Sequence, residues 1–361
     1  MIVVDVLIVG AGVAGILSAL ELQQRGCSVR LIDAGVARQP ASWAGGGILS
    51  PLFPWRYPDA MTPLTRNARH DYRLWSDRIL AAGGPDPEVL DGGMLVLAPG
   101  DEEQALDWAG RHDIRLERIS AARQMPWLAD RPALWLPEVA RIRNPRLLKG
   151  LELLRRRAGI ELAREQVVSV KRSIGGVQVL TSSGLVQAGR VLLTAGAWTA
   201  GLLPPPLRQC IFPVRGQMLL YRPELPFPGS VLLSPAGYLI PRADGLLLAG
   251  STVETGIDDS IPTEQAFAQL KVMAEQLWPA LQGTTPVAQW AGIRPGSLNA
   301  LPLIGEVTDS EGHIWINSGH FRNGLVCAPA SATVVADLIC GLKPGIDPAP
   351  YSVSGSSSSP P

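Results

Sequence analysis

The sequence lacks several features that would assign it to a class at once. Only four of its 361 residues are cysteines, and no CxxC pair occurs, so we expect neither a disulfide framework nor a metal site. Positive and negative side chains balance at 32 each, which leaves no net field to attract nucleic acid or an anionic membrane. No apolar run is long enough to cross a bilayer, and we see no signal peptide before the first strand. We therefore expect a cytoplasmic protein in which Cys27, Cys210, Cys327 and Cys340 are reduced and structural.

The composition is that of a buried, turn-rich globular chain. Apolar residues make up 46% of it and charged residues only 18%, while 38 glycines and 32 prolines are scattered along its length. A chain of 361 residues exceeds what one hydrophobic core usually supports, so two domains are predicted. The Ser-, Gly- and Pro-rich segment from Ser352 to Pro361 is predicted to be disordered.

The N-terminal segment predicts a strand–helix–strand unit. Val3 to Val9 is almost wholly apolar, as in a buried parallel strand, Ile16 to Gln24 reads as a helix, and Ser28 to Ile32 as a second strand. The predicted helices further on run from Asn144, as the N-cap, to Arg157, from about Thr263 to Leu277, and from about Gly324 to Cys340.

The turn after the first strand has the spacing Gly10-x-Gly12-x-x-Gly15, with Val13 and Ala14 inside it. In a dinucleotide site the first glycine permits the tight turn, the second lets the backbone approach a pyrophosphate, and the third lets helix and strand pack closely. Asp33 ends the second strand, before Ala34, where its carboxylate can accept hydrogen bonds from ribose hydroxyls. The alternative is a glycine-rich turn without a ligand, which would need neither the acid nor the flanking strands.

Two further glycine-rich segments favour FAD over NAD. Ser42 to Ile48 contains three consecutive glycines, of which Gly46 and Gly47 lie next to Ile48, and such a loop can lie against a flat ring. A flexible surface loop is the alternative. The segment Gly319-His320-Phe321-Arg322-Asn323-Gly324 begins the last helix, ahead of Leu325 and Val326, and a helix N-terminus can stabilise negative charge on a reduced flavin. His320 could be a capping or packed residue, or a catalytic base.

At this point the sequence resembles the D-amino acid oxidase family of flavoproteins and, within it, the glycine oxidases of thiamine biosynthesis, nearly from end to end. The matching segments are Gly10 to Gly15, Ser42 to Trp55, Arg143 to Lys149, Pro213 to Met218, Tyr238 to Arg242, Trp290 to Gly296, and Gly319 to Pro329. The resemblance implies non-covalent FAD, a small amino acid substrate, molecular oxygen as acceptor, hydrogen peroxide as a product, and a homotetramer. It also implies a role in forming the thiazole ring of thiamine.

The resemblance also implies roles for individual residues. Arg294 matches an arginine that pairs with the substrate carboxylate, Tyr238 a tyrosine that shares it, and Arg322 an arginine near flavin and substrate. Val167 matches a position at the adenine end of FAD. The alternatives are an interdomain ion pair for Arg294, packing in a sheet for Tyr238, and a framework role for Arg322.

The fold implied is α/β with an α+β second domain: a Rossmann-like FAD-binding domain and an inserted antiparallel-sheet substrate domain. We assign residues 1–80, 142–208 and 291–347 to the first, 81–141 and 209–290 to the second, and 348–361 to a tail. Arg294 is expected where its strand ends, with Pro295 and Gly296 beginning a turn. Ala236 and Val253 stand where glycine oxidases can carry His and Met, so the substrate range is open.

The predicted reaction is hydride transfer from the substrate α-carbon of glycine, sarcosine or a small D-amino acid to flavin N5. Two alternatives remain at this point. One is a D-amino acid or sarcosine dehydrogenase with a quinone acceptor, and the other is a flavin-binding module without catalysis.

Overall fold

A computed structural model describes residues 4–35, 40–98 and 100–353. The helices are α1 (Val13–Gln24), α2 (Ala41–Ala44), α3 (Met61–Thr65), α4 (Ala68–Ala81), α5 (Glu102–His112), α6 (Asn144–Arg157), α7 (Glu264–Leu277) and α8 (Gly324–Ile339). The strands are β1 (Val6–Val9), β2 (Val29–Asp33), β3 (Leu90–Asp91), β4 (Met94–Val96), β5 (Glu117–Ser120), β6 (Pro132–Leu136), β7 (Ala140–Arg141), β8 (Glu161–Arg164), β9 (Val167–Ser173), β10 (Gly176–Thr181), β11 (Gly184–Ala188), β12 (Arg190–Leu193), β13 (Ile211–Tyr221), β14 (Val231–Ser234), β15 (Gly237–Pro241), β16 (Leu247–Gly250), β17 (Glu254–Thr255), β18 (Ala288–Ser297), β19 (Leu303–Glu306) and β20 (Ile314–Ser318).

The first sheet is a six-stranded, mainly parallel sheet in the order β19-β20-β12-β1-β2-β8. Strand β1 pairs in parallel with β2 and β12, and only β19 runs antiparallel. Alternate residues of its central strands face opposite sides: Ile8 packs under α1 and α8, and Leu7 packs against the β9-β10-β11 meander. Both faces are thus covered, which explains why β1 is wholly apolar. The predicted α/β fold with a Rossmann-like core is confirmed.

The second sheet has nine strands in the order β17-β13-β16-β15-β14-β4-β6-β5, with β18 paired along the other edge of β13. One face packs on α7 through residues such as Leu239 and Leu270, and the other packs on Trp55 and Trp108 through residues such as Ile240. The predicted boundary between residues 290 and 291 falls inside the single strand β18. The division into domains stays a prediction.

Most predicted elements are confirmed, and three expectations were wrong. The chain does not turn at Pro295 and Gly296, because β18 runs on to Ser297, with Pro295 opposite Pro213 of β13. A proline is tolerated there because β18 is an edge strand. Asn144 is not an N-cap: Arg143 occupies that position, and the Asn144 side chain bonds elsewhere.

The third correction concerns the chain end. Tyr351 is buried, its hydroxyl donates to the Ala60 carbonyl over 2.5 Å, and Val353 is buried as well. The described structure therefore continues to Val353, past Ser352, where the segment predicted to be disordered begins. Residues 354–361 of that segment, like Val3 of the first predicted strand, lie outside the described residues.

The four cysteines are free thiols, as expected. Cys27 follows α1 and Cys340 follows α8, and their sulfurs lie 3.6 Å apart although 313 positions separate them. Burial raises the pKa of Cys27 to about 11, which keeps this thiol protonated at neutral pH. No described helix is both long and apolar enough to cross a membrane.

Candidate functional site

A cavity of about 870 Å³ runs from the glycine turn after β1 to residues of the second sheet. Most residues predicted for the site lie in its wall: Gly10, Gly12, Val13, Ala14, Asp33, Ala34, Ser42, Gly46, Gly47, Ile48, Val167, Tyr238, Arg294, His320, Phe321, Arg322, Gly324 and Leu325. Segments that are up to 315 positions apart in the sequence therefore meet around one space.

Gly15, Asn323 and Val326 are exceptions, because they lie behind the wall. A Cβ on Gly15 would stand 1.9 Å from the carbonyl oxygen of Gly10, so this glycine serves helix–strand packing. Asn323 and Val326 are 1% and 2% exposed, packed beneath the start of α8. On a helix only some side chains near the first turn can face a ligand. The assignment of these three residues as cofactor-binding stays a prediction.

The glycine turn has the geometry of an anion site. Gly10 adopts a φ of 108°, and Gly12 is the N-cap of α1 without any side-chain capping bond. Thr194, a residue not singled out in the sequence, steadies the turn by donating its hydroxyl to the carbonyls of Val9 and Gly10 over 3.0 and 2.8 Å. The N-terminus of α1 therefore faces the cavity with its partial positive charge.

Asp33 lies beside this turn at the end of β2. One of its carboxylate oxygens accepts from the Ala11 amide over 2.8 Å, and the other accepts from the Gly35 amide over 2.8 Å and from Arg164 over 3.1 Å. These bonds hold the carboxylate in place at the cavity wall, where it can also accept from a ligand's hydroxyl groups.

The loop Ser42–Ile48 is held firmly, which argues against a flexible surface loop. The Ser42 hydroxyl accepts from the Val13 amide over 3.0 Å, and the Ser42 carbonyl accepts from the Asn144 side chain over 2.8 Å. Arg242 donates to the Gly46 carbonyl over 2.8 Å. Gly47 has a φ of 80°, and a Cβ there would stand 2.0 Å from the Ile142 carbonyl oxygen. Sequence reasoning missed Asn144 and Arg242 as supports, although both belong to segments that carried the family resemblance.

The start of α8 brings two basic side chains of different character to the cavity. His320 is 4% exposed, and burial lowers its pKa to about 4, so the ring is neutral at physiological pH. Arg322 is half-buried and forms no ion pair within the described part of the chain. An imidazole with so low a pKa is a weak proton acceptor, which argues against a role as catalytic base.

Arg294 lies on β18 at the far end of the cavity. Its guanidinium donates to the Thr252 carbonyl over 3.0 Å and to the Ser251 hydroxyl over 2.9 Å. Burial lowers its pKa to about 10, with Arg322 adding repulsion and Tyr238 partly offsetting it. No carboxylate of the described residues forms an ion pair with it, so the predicted alternative of an interdomain ion pair is not found there. Glu254 also acts favourably on its charge, but without an ion pair. A largely desolvated cation that forms no ion pair favours an anionic ligand.

Tyr238 lies close both to Arg294 and to the glycine loop Ser42–Ile48. It is 6% exposed on β15, and its hydroxyl donates to the Met218 sulfur over 3.4 Å. A Cβ on Gly46 would lie 3.5 Å from this hydroxyl, so the glycine loop passes directly over the tyrosine. Ala236 and Val253, by contrast, are exposed and do not line the cavity.

Comparison with known proteins gives a consistent picture. A family model described as FAD-dependent oxidoreductase (DAO) matches residues 5–338. A glycine oxidase of Pseudomonas aeruginosa is 43% identical over 97% of this chain and 98% of its own length. A bifunctional ThiO/ThiG protein of Synechocystis is 30% identical over 94% of this chain and 52% of its own length. The crystal structure of glycine oxidase from Geobacillus kaustophilus superposes with a TM-score of 0.89 at 26% identity, covering 97% of this chain and 98% of that one.

Proposed function

Because the chain belongs to the DAO family of FAD-dependent oxidoreductases, we propose that it oxidises glycine and other small amines, such as sarcosine and small D-amino acids. The products are the imino acid and, with molecular oxygen, hydrogen peroxide. One observation carries the substrate class: the half-buried Arg294 guanidinium faces the cavity beside Tyr238 and forms no ion pair with a carboxylate of the described residues. An amino acid carboxylate supplies that missing charge, and a planar guanidinium can hold it through two hydrogen bonds.

The cavity fits FAD. Its volume of about 870 Å³ lies in the range of cofactor sites. The N-terminus of α1 suits a pyrophosphate, Asp33 suits a ribose, and Gly46 and Gly47 bring backbone without side chains to the wall, where it can lie against a flat ring. Val167 and the start of α8 complete the wall at the two ends. When bound, FAD supplies the redox chemistry, accepting a hydride at N5 and passing electrons to oxygen.

The protein's own contribution is positioning. Arg294 and Tyr238 bind the carboxylate at one end of the substrate, which directs the α-carbon along the cavity toward the Gly46–Gly47 loop. Holding two reacting groups in a fixed geometry removes much of the entropic barrier. Among the described residues, His320 supplies the one imidazole in the cavity wall, and burial lowers its pKa to about 4, which makes it a weak proton acceptor. The substrate amine therefore loses its proton to solvent before or during binding.

Assembly, location and pathway are further parts of the proposal. We infer a cytoplasmic homotetramer that serves thiazole formation for thiamine. The ThiO/ThiG naming of several relatives supports the pathway. Size-exclusion chromatography with light scattering tests the assembly, and a monomeric mass would refute it.

An anaerobic substrate screen tests the function. The holoenzyme is mixed with glycine, sarcosine and D-alanine without oxygen while the flavin absorbance is followed, and oxygen is then admitted and peroxide measured. Bleaching by glycine followed by stoichiometric peroxide supports the proposal. Bleached enzyme that gives no peroxide with oxygen but reduces a quinone added to a parallel sample would identify a dehydrogenase. No bleaching by any amine would identify a binding module without catalysis.

A further inference from the structure

The Arg294 guanidinium lies flat against a strand position that has no side chain. A Cβ on Gly216 of β13 would stand 2.1 Å from the central carbon of the guanidinium and 2.1 Å from each of its two terminal nitrogens. These equal distances show that the planar group covers Gly216 face on. Carbon atoms in contact need roughly 3.5 Å, so no side chain fits beneath Arg294 in its present position.

Backbone conformation does not explain this glycine. Gly216 lies inside a regular antiparallel ladder, opposite Gly292, and its φ is not in the left-handed region. A glycine in the middle of a strand costs stability and contributes no side-chain packing. Its missing side chain leaves space for the side chain of Arg294. Arg294 pairs with Val214, which lies two residues before Gly216 on β13.

The guanidinium is also fixed on its other sides. The Thr252 carbonyl and the Ser251 hydroxyl accept from its two terminal nitrogens, and Tyr238 lies alongside. An arginine pushed off the Gly216 surface cannot keep both of these bonds. Its depth in the cavity is therefore determined by Gly216 from below and by Ser251 and Thr252 at the side.

We propose that Gly216 is a positioning residue for the substrate carboxylate, acting through Arg294. This inference rests on the proposed function in that it takes the carboxylate of an amino acid as the ligand of Arg294. A methyl group at position 216 moves the guanidinium by about 1.4 Å, the difference between the 2.1 Å approach and a normal contact. A displacement of about 1 Å in a positioning group already lowers catalysis by about 100-fold.

The protein should tolerate this change. The atoms that a Cβ at position 216 would meet are the tip of a long, flexible side chain, which can move aside. At Gly47, by contrast, a Cβ would meet the Ile142 backbone, which cannot move without disturbing the loop. Gly216→Ala is therefore expected to fold and to retain FAD.

The test compares Gly216→Ala with the matched variant Gly296→Ala. Gly296 lies on the same strand pair, where a Cβ would stand 2.4 Å from the Phe212 ring, again a movable side chain, but not Arg294. In Gly216→Ala we expect kcat/KM for glycine to fall about 100-fold, mainly through KM, and the Kd for acetate, measured as a shift of the flavin spectrum, to rise in parallel. Gly296→Ala should change both values less than about threefold. Equal effects in the two variants would overturn the proposal.

A double-mutant cycle separates positioning from general destabilisation. Adding Gly216→Ala to Arg294→Ala should cost nothing further, because the group that Gly216 positions is already absent. An additional loss in the double variant equal to that in the single one would show that Gly216 acts independently of Arg294. Failure of the proposed function would appear separately, as wild-type flavin that glycine does not bleach. The acetate titration still decides the positioning role in that case, since it requires only carboxylate binding, and wild-type protein that does not bind acetate would overturn it.

Discussion

At the scale of single residues, the site depends on charges whose surroundings were invisible in the sequence. Arg294 was predicted as the carboxylate anchor from its resemblance to a family position. The structure adds that it is half-buried, hydrogen-bonded to the neutral Thr252 and Ser251, and close to a second arginine. Such a cation is costly to bury, and a bound carboxylate offsets that cost.

Removing the Arg294 guanidinium should therefore abolish most substrate recognition. Arg294→Ala removes a desolvated charge pair of roughly 3–5 kcal/mol, so kcat/KM on glycine should fall by about two to four decades. Arg294→Lys should recover only part of this, because an ammonium lacks the planar fork. FAD content, measured by absorbance after purification, should stay the same in both variants. Near-normal kcat/KM in Arg294→Ala would mean that the carboxylate binds elsewhere, with Arg322 as the next candidate. A variant that loses FAD would show instead that Arg294 is structural.

The low pKa of His320, the one imidazole in the cavity wall among the described residues, predicts a pH dependence. Only the neutral amine can give up a hydride, and its fraction rises as the pH increases, so kcat/KM on glycine should rise through the alkaline range. His320 cannot flatten the profile, because burial lowers its pKa to about 4 and its ring is already neutral at about pH 6. Steady-state kinetics from about pH 6 to about pH 10 measure this. A flat profile would indicate a proton acceptor within the site.

At the scale of elements, two helix starts that look alike in the sequence behave differently. Thr263 caps α7, since its hydroxyl accepts from the Ala266 amide over 3.3 Å. Asn144 was predicted to cap α6 in the same way, but its side chain donates to the Ser42 carbonyl in the loop Ser42–Ile48. Local sequence predicted both helices because capping residues and apolar periodicity are short-range signals. It could not show that a more distant acceptor competes for the Asn144 side chain.

The difference is testable by paired substitutions. Asn144→Ala should weaken FAD binding by about 3- to 10-fold, the value of one hydrogen bond, with little change in helix content. Thr263→Ala should lower stability by about 1 kcal/mol without altering FAD affinity. Titration of the apoprotein with FAD, followed by flavin fluorescence, gives the affinities, and urea unfolding gives the stabilities. The interpretation fails if Asn144→Ala binds FAD like the wild type.

At the scale of the whole molecule, the cavity wall is assembled from both sheets and contains no cysteine among the described residues. No thiol is therefore placed to bond covalently with the flavin. The purified protein should be yellow, and acid precipitation should release all of its flavin as FAD, detected by chromatography of the supernatant. Flavin that remains in the protein pellet would contradict non-covalent binding.

The sequence by itself determined what depends on near neighbours. The glycine turn, Asp33 and the start of α8 each lie within one short segment, and their backbone requirements can be read from residue type and spacing. The parallel sheet followed from the strand–helix–strand order in the same way.

The tertiary structure alone decided which distant residues meet. Gly216 lies under Arg294, and Ser251 beside it, because β13 pairs with β18 and β16 in one particular register. Cys27 reaches Cys340 because α1 packs on α8. These partners are far apart in the sequence: 43 positions separate Ser251 from Arg294, and 313 separate Cys27 from Cys340. Over such distances the partner is selected by sheet register and core packing, which depend on the whole chain at once, and no local pattern of residue types encodes them.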